Sequence, residues 1–258
     1  MSNCYKNFPV KIHYGDSTSH TIYGNSTSLS ENLSLEHAES LGAKGSNLVF
    51  NKTGPKGDLN VDSYMIDDLE VYNNLKGSND QEIAIDFGPY RCPSPCVMSS
   101  MSISIQVGEP ITVQRTFNYF QGVIINEYPD PVSPELKPII AENIRLEGFE
   151  FLEGAGEIKS IQWDFTQNYN EHYLLGSTIP LVSFGRGEIS LNIDGEGLTK
   201  KLISNNCVSS ANQYDIYVSG CDGKDLGRLS ISGHMNSRSS NVSSTSDEEN
   251  SVSIIQYL

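Results

Sequence analysis

Basic residues are scarce in this chain: 17 Lys and Arg stand against 32 Asp and Glu, a formal net charge of -15 over 258 residues. That deficit argues against the phosphate-neutralising grip of ordinary nucleic-acid binders, because an acidic surface repels a polyanion. Cysteine is also sparse and odd in number (Cys4, Cys92, Cys96, Cys207, Cys221). No N-terminal stretch joins a basic head to an apolar run, so a reducing cytoplasm is the expected place of synthesis rather than a secretory route. No window approaches the ~20 apolar residues of a membrane span, and no membrane anchor is expected.

Chemical motifs are missing too. The five histidines (His13, His20, His37, His172, His234) form no HExxH pattern, no serine sits in a G-x-S-x-G elbow, and no phosphate-cradling loop is present. Cys92-Pro-Ser-Pro-Cys96 has no second Cys or His pair close by and reads as a rigid turn with free thiols. Gly185-Arg186-Gly187 reads as a turn before a strand. Asp62 with Asp67 and Asp68, and Asp194 with Glu196, lack the regular spacing of a calcium loop. The expectation is no enzyme, no cofactor and no metal.

Helical periodicity is confined to two short candidates: Ser34 to Leu41, capped by Ser34 and stopped by Gly42, and a segment from Ser133-Pro134 to about Asn143. Alternation of apolar and polar residues is plentiful. Met101, Ile103, Ile105 and Val107 alternate with Ser102, Ser104 and Gln106, and Ile161, Trp163 and Phe165 with Gln162 and Asp164. Further stripes run through Ile189, Leu191 and Ile193, through Tyr214, Ile216 and Val218, and through Val252 and Ile254. Gly108-Glu109-Pro110 and Asp222-Gly223 mark turns between such runs. Trp163, the only tryptophan, is expected as a core anchor, with a carbohydrate-binding face as its other use.

One motif occurs twice. Leu41-Gly42, Leu48-Val49, Gly54, Gly57 and Leu59-Asn60-Val61-Asp62 are matched by Leu175-Gly176, Leu181-Val182, Gly185, Gly187 and Leu191-Asn192-Ile193-Asp194, offset by 134 positions at the start and 132 at the end. Between the copies, Glu127 to Pro138 carries four prolines and reads as a linker. The expected organisation is all-β: two tandem antiparallel sandwich or barrel domains, residues 1–126 and 144–258, joined by a Pro-rich linker at 127–143, with one or two short helices.

The second half, with a strand over Ile158 to Asn168, Leu174-Leu175-Gly176-Ser177-Thr178-Ile179-Pro180, Gly185-Arg186-Gly187 and a strand ending Leu191-Asn192-Ile193-Asp194-Gly195, resembles the tail tube proteins of tailed bacteriophages. The resemblance covers roughly residues 144 to 258 and extends less fully to the first half. It implies a virion structural protein, assembled in the host cytoplasm, whose copies form stacked rings, either three two-domain chains in a pseudohexamer or six chains. Genomic DNA would pass through the lumen, and baseplate, tape measure, sheath or terminator proteins would be partners. It further implies lumen-wall strands near Leu29 to His37, Gly57 to Tyr64, Ile158 to Phe165 and Gly187 to Asp194, with Asp58, Asp62, Asp164, Glu188 and Asp194 facing the DNA. Ring-stacking loops would lie near Gly42 to Gly54 and Tyr169 to Arg186, through Leu41, Gly42, Leu175, Gly176, Gly185 and Gly187. The alternative reading is a β-sandwich adhesin or carbohydrate-binding module.

Overall fold

The computed structural model describes residues 8–15, 17–33, 35–39, 47–51, 54–65, 83–126, 140–149, 157–196, 212–220, 223, 225–243 and 246–258. All regular structure among them is strand: β1 Phe8–His13, β2 Ser19–Asn32, β3 Leu35–Glu39, β4 Asn47–Asn51, β5 Lys56–Tyr64, β6 Ile83–Phe87, β7 Tyr90–Gln106, β8 Thr112–Tyr119, β9 Ile124–Ile125, β10 Asn143–Glu147, β11 Glu157–His172, β12 Leu181–Glu196, β13 Asn212–Ser219, β14 Asp225–Ser243 and β15 Ser246–Tyr257. No helix among the described residues is long and apolar enough to cross a membrane.

Six strands close a barrel in the order β1-β2-β5-β8-β7-β6, every neighbour antiparallel, with β6 returning to β1. Closure leaves the barrel strands paired on both sides wherever their partners reach, which removes the edges an open sheet must protect. β7, at 17 residues, outlasts its barrel neighbour β6. Its far end, Ser100–Gln106, pairs instead with Ser160–Thr166 of β11. From there the sheet runs on as β11-β12-β15-β14-β13-β10.

That second run follows the same pairing order as the first but, among the described residues, does not close: β1 pairs with both β2 and β6, whereas β10 pairs with β13 alone. Each half has six main strands, β1, β2, β5, β6, β7, β8 and then β10, β11, β12, β13, β14, β15, and the pairing orders β2-β5-β8-β7-β6-β1 and β11-β12-β15-β14-β13-β10 correspond strand for strand. Irregularities recur at matching places. The β2–β5 ladder shifts between Gly24 and Ser26 and the β11–β12 ladder between Ile158 and Ser160; β7–β8 shifts between Met98 and Ser100, and β14–β15 between Met235 and Ser237. Following the ladders places Leu59-Asn60-Val61-Asp62 on the positions of Leu191-Asn192-Ile193-Asp194, since Leu59 faces Leu29 and Phe117 while Leu191 faces Trp163 and Ile254.

Alternation explains the packing. On β11 and β12, Ile161, Trp163, Phe165, Ile189, Leu191 and Ile193 are buried. They continue across the sheet to Val252 and Ile254 on β15 and to Met101, Ile103 and Ile105 on β7. All belong to a single apolar cluster that also fills the barrel. Each such side chain contributes about 1.5–3 kcal/mol by leaving water. Arg115 breaks the apolar face: it is buried in the row with Met101 and Val61, and its guanidinium donates to Ser63 Oγ at 2.8 Å.

Several expectations are corrected. The helix at Ser34 to Leu41 is instead strand over Leu35–Glu39, held by antiparallel pairing with β4 inside the β2–β5 connection. Cys92-Pro-Ser-Pro-Cys96 is not a turn but lies within β7, where pairing with β6 covers it and both thiols are free and buried. Gly185-Arg186-Gly187 likewise belongs to a strand, β12. Residues 127–139 of the expected linker, and with them most of the second helix candidate, lie outside the described residues; from Asn143 the chain is strand.

Candidate functional surface

The face opposite the core is continuous across seven strands, in the order β15-β12-β11-β7-β8-β5-β2. Because directly paired residues share a face, the registers line up rows across it. One row runs Ile255, Ser190, Asp164, Ser102, Gln114, Asp62, Ser26; the next runs Tyr257, Glu188, Thr166, Ser100, Thr116, Asn60, Ser28. Flanking rows hold Asp194 with Ser160 and Ser251, and Asp58 with Ser30 and Asn118. Asp58, Asp62, Asp164, Glu188 and Asp194, which come from three strands in both halves, therefore all sit on one side of one sheet.

Hydroxyls and amides knit this face together. Ser26 Oγ donates to Asp62 at 2.8 Å and Ser160 Oγ to Asp194 at 3.2 Å, the same bond at equivalent positions of the two halves. Ser102 Oγ donates to Asp164 at 2.6 Å and Gln162 Nε2 to the same carboxylate at 2.9 Å, while Gln162 also reaches Ser102. Asp58 accepts from Ser30 at 3.4 Å and from Asn118, and Thr116 Oγ1 donates to Asn60 at 2.9 Å. The ion pairs among the described residues join other groups, such as Lys56 to Glu171 and Arg91 to Asp86, and none involves these five carboxylates. Neutral donors hold Asp58, Asp62, Asp164 and Asp194 in place without a counter-ion among the described residues, while Arg186 packs over Tyr257, the cross-strand neighbour of Glu188.

The loop residues are distributed differently. Leu41 and Gly42 lie outside the described residues. Leu175 and Gly176 sit at the tip of the β11–β12 connection, Leu175 fully exposed and Gly176 at φ 85°, where a glycine avoids the strain a side chain would meet. Gly185 and Gly187 are not in that loop; β12 begins at Leu181, so the connection spans only 173–180. Leu174, Ile179 and Leu181 are also exposed, giving this acidic chain a local apolar tip. Gly54 N donates to Thr178 O at 3.0 Å and Lys56 pairs with Glu171 at 3.2 Å, so the β11–β12 connection touches the approach to β5.

Two other features are accounted for. Trp163 is 1% exposed, which removes it as a sugar-stacking platform. Arg186 packs over the Tyr257 ring at 4.3 Å beside a cleft lined by His234, Asn236 and Gln256. Among the described residues no three His, Cys, Asp or Glu side chains converge as a metal site requires. Sequence reasoning named the five carboxylates only through the resemblance; it did not name Ser26, Ser102, Gln162 and Asn118, whose bonds to them depend on cross-strand neighbours far away in the chain. No protein-family model and no curated protein matches this sequence.

Proposed function

We propose that this chain is a structural subunit of a bacteriophage tail, self-assembling into stacked rings whose lumen passes genomic DNA. In this reading the halves 1–126 and 144–258 are two copies of one tube-type domain, three chains make a pseudohexameric ring, and the assembly forms in the host cytoplasm before joining the virion. Baseplate, tape measure, sheath or terminator proteins are its neighbours.

One observation carries the reading: a single sheet face, built from both halves, gathers Asp58, Asp62, Asp164, Glu188 and Asp194 with, among the described residues, no cation in an ion pair with them. A conduit for a polyanion needs a wall to which the polyanion does not stick, and a hydrated acidic wall meets that need. The repeated strand order supports the reading because a chain with two like units has internal pseudosymmetry from which rings are built. The exposed Leu174, Leu175 and Ile179 at the β11–β12 tip supply an apolar contact for stacking one ring on the next.

The first test is electron microscopy of the purified chain over a concentration series, where rings or tubes with an open lumen are expected. Small uniform particles at every concentration, with and without tail partners, would overturn the reading. The second changes Asp58, Asp62, Asp164 and Asp194 to lysine together. Rings of this variant are expected to retain duplex DNA at low salt and release it as salt rises, while wild-type rings retain none. Equal retention by both would remove the lumen assignment.

A further inference from the structure

Arg186, the centre of the Gly185-Arg186-Gly187 motif, forms one wall of a cleft of about 310 Å³. The other walls come from His234 and Asn236 on β14 and from Ile255, Gln256 and Tyr257 on β15. Backbone approach shapes it: a Cβ on Gly233 would stand 2.3 Å from Ile255 O, so only glycine lets β14 lie this close to β15 beside the cleft. The ladder then sets His234 opposite Ile255, and Asn236 is the residue it skips, a bulge position of the kind that re-aims a side chain. Across the cleft Leu258 N donates to Gly187 O at 2.9 Å and Glu188 pairs with Tyr257, which holds Arg186 beside the Tyr257 ring with its guanidinium 4.3 Å from the centroid.

The lining groups have bonding capacity to spare. Among the described residues Arg186 is in no ion pair, and no side-chain hydrogen bond joins Arg186, His234, Asn236 or the Tyr257 hydroxyl to another group. Gln256 Oε1 accepts from Ser232 N at 2.7 Å, which leaves its Nε2 unbonded. No carboxylate lines the cleft; Glu188, the cross-strand neighbour of Tyr257, is not among its walls. Stacking on Tyr257 fixes the guanidinium plane and leaves its edge N–H groups to a ligand. We propose that this cleft binds a small hydroxylated monocarboxylate of the uronic-acid class. Arg186 holds the carboxylate through parallel N–H···O bonds, His234, Asn236 and Gln256 bond hydroxyls, and Ile255 meets the C–H face of the sugar ring. Charge selects the class: one arginine matches one negative charge, and the field of a chain carrying -15 opposes a phosphate dianion about twice as strongly as a carboxylate. Size agrees, since small-ligand clefts begin at about 300 Å³ and this one suits a monosaccharide.

This inference does not depend on the ring-forming reading, and its test reads binding rather than assembly. The full chain is titrated with glucuronate, galacturonate, glucose and glucose 6-phosphate at low salt and followed by protein-observed NMR, with circular dichroism to check that each variant is folded. Wild type is expected to bind the uronates with a dissociation constant on the order of 1 mM and glucose at least about tenfold more weakly. Arg186→Gln is expected to weaken uronate binding at least about tenfold, and Arg186→Lys, which keeps the charge but loses the planar fork, to fall between it and wild type. Uronate binding that survives Arg186→Gln unchanged, or that is absent from folded wild type, would overturn the site. Tighter binding of glucose 6-phosphate than of either uronate would overturn the carboxylate class.

Discussion

Trp163 illustrates how much depends on single residues. It lies between Ile103 and Leu191 across the ladders and is buried in the shared core. Trp163→Ala removes the largest fully buried side chain and is expected to lower the unfolding free energy by about 3–5 kcal/mol, read from the urea midpoint. Cys92 and Cys96 give a second prediction. Burial, with Glu31 and Asp86 adding to it, pushes the Cys92 thiol up to about 12, and burial raises Cys96 as well. A thiol whose pKa is raised on folding stays protonated in the native state while the unfolded chain releases its proton. The stability it contributes is therefore fully present below about pH 9 and is lost as pH climbs toward about 12, by up to about 1.4 kcal/mol per pH unit for each thiol. Denaturation at stepped alkaline pH is expected to show a flatter slope for Cys92→Ala than for wild type, and native thiols are expected to resist a thiol reagent at pH 8.

At the scale of elements, β2 and β5 leave no room for a side chain at Gly57. A Cβ there would stand 1.8 Å from Ser30 O and 2.6 Å from the Tyr119 hydroxyl, which itself donates to Ser30 O at 2.6 Å. Neither the paired backbone nor the bonded phenol has room to withdraw, so Gly57→Ala is expected to cost at least about 2 kcal/mol in a denaturant titration. The equivalent position of the other half is Ile189, where a full side chain is buried. The same ladder thus offers an internal comparison. Elements were legible in the sequence where one face is buried and the other is wet: Ile161 to Phe165 and Ile189 to Ile193 alternate cleanly because the core covers one side. β2 was not legible, because its inward positions Thr27, Leu29 and Glu31 lie along an edge with no apolar cover, and Leu33 and Leu35 then suggested helical spacing. Cys92 to Cys96 misled for a different reason: Pro93 and Pro95 signal a turn locally, and only the pairing with β6 makes the segment strand. The five carboxylates could be chosen as sharing faces strand by strand, but that their strands adjoin through β7 and β8 is a property of pairing, which no local pattern encodes.

For the whole molecule, the balance of charge and the repeat act together. Thirty-two acidic residues against 17 basic ones favour repulsion between copies at low salt, while in the proposed assembly the exposed β11–β12 tip would be a place where they join. In the ring-forming reading low salt strengthens the repulsion between copies, so assembly is expected to rise as salt screens it, a profile that light scattering across a salt series will read.

β7 also decides how the chain comes apart. One strand is a stave of the barrel at its beginning and the hinge-post of the second sheet at its end, and Met101, Ile103 and Ile105 belong to both packings. Neither half can melt without stripping a wall from the other. Calorimetry should accordingly record a single endotherm, with the calorimetric and van't Hoff enthalpies in agreement, where two domains tethered only by a linker would give two. Cutting the backbone between residues 127 and 139 should leave two fragments that travel together on a sizing column until denaturant separates them. Two genes, each encoding one fragment, should then reconstitute the fold in trans.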